Sequence, residues 1–332
     1  MYVLCINDTQ QTTINTMKEK NLSIELLKFI ALFIIANSHM ELLYGEYSIL
    51  ATGGSIGDVL FFFCSGYTLF LGRMDRFDNW YKRRVNRIYP SIFAWALIAS
   101  LFFDMHYDMK EIWLHAGGWF VTCIMLYYVI LYFVRKYFLE KEWIVFILTT
   151  LIIAIYYLFE DRSKFFMYGD TYFKWVHYFI FMLIGAYIGV NKIKLTIRPT
   201  YDLVGFIISI ITYYVAMFLC VKSPAIAEWQ ILTLIPLMGI TIYLYKLCSS
   251  SWCTVFLNKN KGWVCAISGL CLESYIVQYA LFTENLNHLF PLNIVITMIA
   301  ILIMAYIVRS IGRIFVQIFS KENFDWKAII KL

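Results

Sequence analysis

Ten apolar runs of about 17 to 23 residues follow one another through this chain, at 22–44, 55–71, 88–103, 118–134, 143–159, 173–190, 203–221, 229–247, 263–282 and 292–308. Apolar runs of this length are those of helices that cross a hydrocarbon core of about 30 Å. Only 15% of the 332 residues are charged and 61% are hydrophobic, whereas an ordinary soluble domain is roughly 25% charged. A water-soluble globule is therefore excluded. Sixteen Gly and five Pro are also too few for a collagenous or disordered chain. The sequence predicts an all-α integral membrane protein, a bundle of about ten transmembrane helices forming one domain at 22–308, with no repeat or linker dividing it.

The basic residues set its orientation. Of the 28 Lys and Arg, 22 fall before the first run, after the last, or in the alternate connections at 73–87, 135–141, 192–198 and 246–261. Lys28 lies inside the first run, and only Lys110, Arg162, Lys164, Lys174 and Lys222 fall on the other side. Cytoplasmic connections carry the excess of Lys and Arg, so both termini are expected in the cytoplasm, as a polar tail at 1–21 and an amphipathic tail at 309–332. The net charge of +6 sits in short clusters between spans, which points away from nucleic acid and toward the lipid bilayer as partner. The apolar run after Lys18-Glu19-Lys20 is too long for a secretory signal and lacks a cleavage site, so it reads as an uncleaved first helix. Eight cysteines, at 5, 64, 123, 220, 248, 253, 265 and 271, show neither CxxC nor metal spacing, and no disulfide or bound metal is expected.

A charge inside a span costs at least about 2.5 kcal/mol at mid-bilayer and is normally turned toward the bundle interior. Lys28 and His39 are eleven residues apart, which is three helical turns plus roughly 20° and a rise of about 16 Å. Both therefore face the same way, Lys28 nearer the inner leaflet and His39 in the outer half. Singly, each has an equally good plain reading: Lys28 snorkels to the inner headgroups, and His39 hydrogen-bonds between helices. The pairing shifts the balance toward function.

With these two residues the sequence resembles acyltransferase family 3, the multi-pass membrane O-acyltransferases of surface glycans and related molecules. The family's first helix carries Arg, ten residues, then His; here Lys28 stands in the Arg position ahead of His39. Gly53-Gly54 leading to Phe61-Phe62-Phe63-Cys64-Ser65-Gly66-Tyr67 is similar to the family's Gly-rich start of an FF-x-x-SGF/Y segment. Arg84-Val85-Asn86-Arg87-Ile88-Tyr89-Pro90, in the predicted cytoplasmic loop, resembles its R-x-x-R-I-x-P signature, and Trp119-Phe120 with Tyr127 and Tyr128 its fourth helix. Ser268-Gly269-Leu270-Cys271-Leu272-Glu273-Ser274-Tyr275-Ile276-Val277-Gln278 resembles a late segment, with Cys271 replacing a Ser and Gln278 a His.

The resemblance implies an O-acetyltransferase of the bacterial cytoplasmic membrane, with acetyl-CoA as donor. The implied acceptor is a hydroxyl of a surface or capsular polysaccharide or of its lipid-linked precursor. Such a reaction needs a base, and His39, with an ordinary pKa of about 6.5, is largely neutral at physiological pH. Arg84 and Arg87 would hold CoA phosphates, and Lys28 would contact the donor deeper in the bundle. From charge alone, Arg73–Arg87 reads as an ordinary positive-inside loop. Glu41 and Asp58, near the outer ends of the first two spans, would orient His39 or bind the saccharide, or else are solvated helix ends. Glu273, deep in the ninth span, requires a partner, with Lys28 and Gln278 the candidates, or is protonated. Ser65 is expected to pack between helices. The competing class is a transporter or flippase of lipid-linked saccharide, against which no inverted repeat is visible.

Overall fold

Asn21 opens the first helix by accepting a hydrogen bond from the Ser23 amide at 3.0 Å, which satisfies one of the donors a helix start leaves unpaired. The structure, a computed structural model, describes residues 21–114, 116–161, 166–191, 195–320 and 323–331. Outside them lie the rest of the predicted 1–21 tail and seven basic residues used for orientation: Lys18, Lys20, Arg162, Lys164, Lys192, Lys194 and Lys321. All regular structure among the described residues is helical. The principal helices are α1 (Leu22–Ser38), α2 (Gly54–Leu71), α3 (Phe77–Phe102), α4 (Gly118–Tyr137), α5 (Glu142–Phe159), α6 (Phe179–Val190), α7 (Pro199–Lys222), α8 (Leu234–Cys248), α9 (Ser251–Gly269), α10 (Cys271–Val277), α11 (Leu292–Ile318) and α12 (Trp326–Ile330).

Seven helices among the described residues are long and apolar enough to cross a membrane, and counting each of two bent pairs as one span raises the number to nine. The predicted ten is not reached, because the run at 173–190 becomes a shorter apolar stretch, Lys174–Val190. Its helix α6 is buried over most of its length. Surrounded by other helices, it can be apolar on every side.

The closest crossing is between α2 and α6. A Cβ at Gly66 would run into the Met182 carbonyl, and one at Gly185 into the Phe63 carbonyl. Small residues let the two backbones touch. The S-G-Y segment is thus a packing device, and Ser65 hydrogen-bonds across to Tyr128 at 3.1 Å.

Contacts at the helix ends show that neighbours alternate in direction. At one end Asn21 donates to Tyr67 at 2.9 Å, Lys246 pairs with Asp202, and Tyr132 donates to the Asp75 carbonyl at 3.1 Å. At the other, Asn37 donates to the Leu50 and Thr52 carbonyls, and buried Asn293 donates to that of Leu43 at 2.8 Å. The first of these ends carries the clustered Arg and Lys and is called the basic end below.

Two departures from the predicted elements shape the site. The run at 22–44 is not one helix: α1 stops at Ser38 and the chain bends by 66° into Glu41–Leu50. Ser38 Oγ donates back to the Ile35 carbonyl at 2.8 Å, a local bond that competes with the helical ladder. His39 therefore caps a helix rather than lying inside one. The predicted loop at 73–87 is also largely helical, since α3 begins at Phe77 and places Arg84 and Arg87 one turn apart. The last helix likewise runs past 308 to Ile318 before α12 folds back, with Tyr306 donating to the Ile330 carbonyl at 3.0 Å.

Candidate active site

At the basic end, α1, α2, α3, α4, α9, α10 and α11 line a cavity of about 410 Å³. Its walls carry five cations, Lys28, Arg84, Arg87, Arg309 and Arg313, against two carboxylates, Glu25 and Glu273. Phe61, Phe120 and Tyr275 also line it.

Each charge is held by neighbours that the helix geometry supplies. Lys28 and Glu25 are one turn apart on α1 and pair at 2.9 Å. The other oxygen of Glu25 accepts from Ser268 of α9 at 2.5 Å. The Arg84 guanidinium lies over the rings of Trp80, at 4.9 Å, and Tyr128, at 5.9 Å. Aromatic faces stabilise it as a cation without using its N–H donors, and its buried Nε has no hydrogen-bond partner among the described residues.

Glu273, 6% exposed, accepts from Ser91 of α3 at 2.7 Å and lies within electrostatic reach of Arg309 and Arg313 of α11. This corrects the expected partners: Lys28 is paired with Glu25, and Gln278 is buried with its Nε2 unpartnered among the described residues. The close approach that brings α11 here is made at Gly312, where a Cβ would stand 3.1 Å from the backbone of Pro90 and Ser91.

His39 is not on the cavity wall. It sits at the bend after α1, with the Tyr279 hydroxyl 2.9 Å from Nδ1 and 3.2 Å from Nε2, and with the two ring centroids 4.9 Å apart. Tyr279 lies four residues beyond Tyr275, which lines the cavity, so the segment that follows α9 runs from the cations to the imidazole. Asp58 of α2 belongs to the His39 side. It bonds the Tyr178 hydroxyl, and it is within electrostatic reach of Lys174, Tyr275 and Tyr279. Lys174 is held by Asp170 at 2.9 Å and lies 4.6 Å from the Trp119 ring centroid. Glu41 is exposed, as the first residue of the short helix Glu41–Tyr44, and joins neither group.

Of the residues singled out in the sequence, Lys28, Arg84, Arg87 and Glu273 thus share one cavity, His39 and Asp58 share the region beyond it, and Glu41 stands apart. Arg309 and Arg313 were missed because they fall in the predicted tail. The signal was present: Ile301, Ala305, Val308 and Gly312 keep a helical spacing of buried positions straight through residue 308. Tyr279 carried no motif at all.

A bundle of apolar helices holding a polycationic cavity and a histidine beyond it defines a multi-pass membrane protein with a charged interior. The chain matches the profile of acyltransferase family 3, described as an acyltransferase domain, over residues 21–310. It belongs to that family and is an acyltransferase. No curated protein and no solved structure matches it.

Proposed function

We propose that this protein moves an acetyl group from cytoplasmic acetyl-CoA to a hydroxyl of a surface or capsular polysaccharide, or of its lipid-linked precursor, in the bacterial cytoplasmic membrane. The observation that carries the reading is the imbalance of five cations to two carboxylates lining one cavity. Such an excess of positive charge within a bundle is costly unless an anion enters, and the phosphates of CoA meet that demand.

Arg84 and Arg87, facing the basic end, hold phosphate; Lys28 meets the donor deeper in. The pantetheine arm spans the roughly 16 Å of helix rise that separates Lys28 from His39, passing Phe61, Phe120 and Tyr275. His39, as neutral imidazole, takes the proton of the acceptor hydroxyl as its oxygen attacks the thioester carbonyl. The tetrahedral intermediate collapses, the carbon–sulfur bond breaks, and the imidazolium returns the proton to the CoA thiolate. Tyr279 orients the ring, while Asp58, Lys174 and Trp119 lie where a saccharide would be received, the first two as polar partners and the third as a stacking face.

The test is transfer of labelled acetyl from acetyl-CoA by the purified protein in lipid nanodiscs with saccharide acceptors. His39→Ala should abolish transfer while donor binding persists. Transfer at the wild-type rate would remove His39 from the chemistry, and a donor left unconsumed by the wild type with every acceptor would favour translocation of lipid-linked saccharide instead.

A further inference from the structure

The last helix supplies two of the cavity's five cations, and neither has a part in the mechanism above. Arg309 and Arg313 are one turn apart on α11, across from Arg84 and Arg87 on α3, because Gly312 lets the two helices touch at Pro90 and Ser91. One carboxylate, Glu273, lies within electrostatic reach of both guanidiniums, and Arg313 Nη1 donates to the carbonyls of Ile329, at 2.9 Å, and Lys331. That carboxylate is itself incompletely satisfied: Ser91 serves Oε1, while buried Oε2 has no hydrogen-bond partner among the described residues. On the other side, a buried Nη1 of Arg309 also lacks one. Two guanidiniums against one carboxylate leave a net positive charge, with a buried donor free to take an anionic oxygen.

Resting on the acyl-CoA reading, we propose that Arg309 and Arg313 form a second phosphate seat opposite Arg84 and Arg87, with Glu273 as the nearby counter-charge until the donor arrives and with Arg313 anchored by donating from Nη1 to the Ile329 and Lys331 carbonyls. Two separated seats suit a ligand with two separated phosphate groups, and CoA carries a pyrophosphate and, beyond the ribose, a 3′-phosphate. Guanidinium recognises phosphate through paired N–H donors. An incoming phosphate takes over donors that Glu273 leaves unused, and Glu273 keeps its bond from Ser91.

Equilibrium binding of acetyl-CoA and of acetyl-3′-dephospho-CoA to the protein in nanodiscs tests this. Arg309→Ala and Arg313→Ala should each weaken acetyl-CoA binding by about tenfold to a hundredfold, the size of a lost charged hydrogen bond. Lysine at either position should restore part of the loss, and in transfer assays the loss should fall on KM for the donor rather than on kcat. Glu273→Gln, which removes the competing negative charge, should bind acetyl-CoA more tightly than wild type. If the arginine variants lose affinity only for acetyl-CoA, the seat holds the 3′-phosphate; if they lose it for both thioesters, it holds the pyrophosphate. Arginine variants that elute and melt like wild type yet bind acetyl-CoA with wild-type affinity would overturn the second seat and leave the acyl-CoA reading intact. Failure of the wild type to bind acetyl-CoA would instead overturn that reading, and the seat with it.

Discussion

Two helix-interior glycines give the packing account opposite signs in a single experiment. At Gly66 an added Cβ would collide with the Met182 carbonyl and approach the Ala186 amide. Those are backbone atoms of a buried helix and cannot rotate aside, so α2 and α6 must separate. Overpacking costs typically 1–3 kcal/mol, and with backbone on the receiving side the upper end applies, about 3 kcal/mol. That lowers the folded-to-unfolded ratio by more than a hundredfold. At Gly262, an exposed position inside α9, a Cβ would meet nothing within 4 Å. There the helical preference of alanine should stabilise by about 0.5 to 1 kcal/mol. The assay is thermal unfolding in detergent, followed by intrinsic fluorescence and by recovery of monodisperse protein. Gly66→Ala should melt several degrees below wild type and Gly262→Ala at or above it. Because α2 also carries Asp58 and Phe61, Gly66→Ala should lose transfer activity as well. A Gly66→Ala protein as stable as wild type would refute the backbone contact between α2 and α6.

Three further outcomes follow from named contacts. Glu25→Gln leaves the Lys28 ammonium, 16% exposed, without its counter-ion; stability should fall by up to about 3 kcal/mol, while the added positive charge should tighten donor binding at low salt in a titration with acetyl-CoA. Tyr279→Phe removes one hydroxyl from His39, a loss of about 0.5–1.5 kcal/mol, so kcat should drop by up to about tenfold with KM for the donor little changed. At the basic end, the Arg83 guanidinium, bonded to Asp75 with Arg73 alongside, holds the Asp75 carboxyl below its usual range. Its tie to α3 is therefore fully present above the ordinary carboxylate pKa and is lost as pH falls through the lowered value, which limited proteolysis of the 72–76 connection at acid pH should register; Asp75→Asn should show the cleavage already at neutral pH.

How much of this was legible in the sequence depends on what sets each feature. Apolar length alone located the long helices, because lipid leaves no other fate for such runs. The helix ends were less legible. At α11 the hydropathy falls with no breaker in the sequence, and at α3 the helix runs straight through Pro90, so both helices extend beyond the apolar runs and carry Arg84, Arg87, Arg309 and Arg313 with them. The bend at His39 has no Pro or Gly; it comes from a serine bonding its own backbone. Partners across the bundle were out of reach, since Ser91 and Glu273 are 182 positions apart. The Lys28–Glu25 pair was readable, as a spacing of three on one helix brings side chains together. Family motifs were the strongest signal of activity, and they are also where this chain departs, with Lys28, Cys271 and Gln278.

The central claim is that the donor's phosphates sit among the cavity cations while its thioester reaches His39. A cryo-electron microscopy structure of the protein in nanodiscs with a non-hydrolysable acetyl-CoA analogue tests it most directly. The account predicts phosphate density against Arg84 and Arg87 and the acyl carbon within about 4 Å of the imidazole. Phosphates bound elsewhere, or an acyl end that stops short of Tyr275 with Phe61 and Phe120 closed over it, would contradict it.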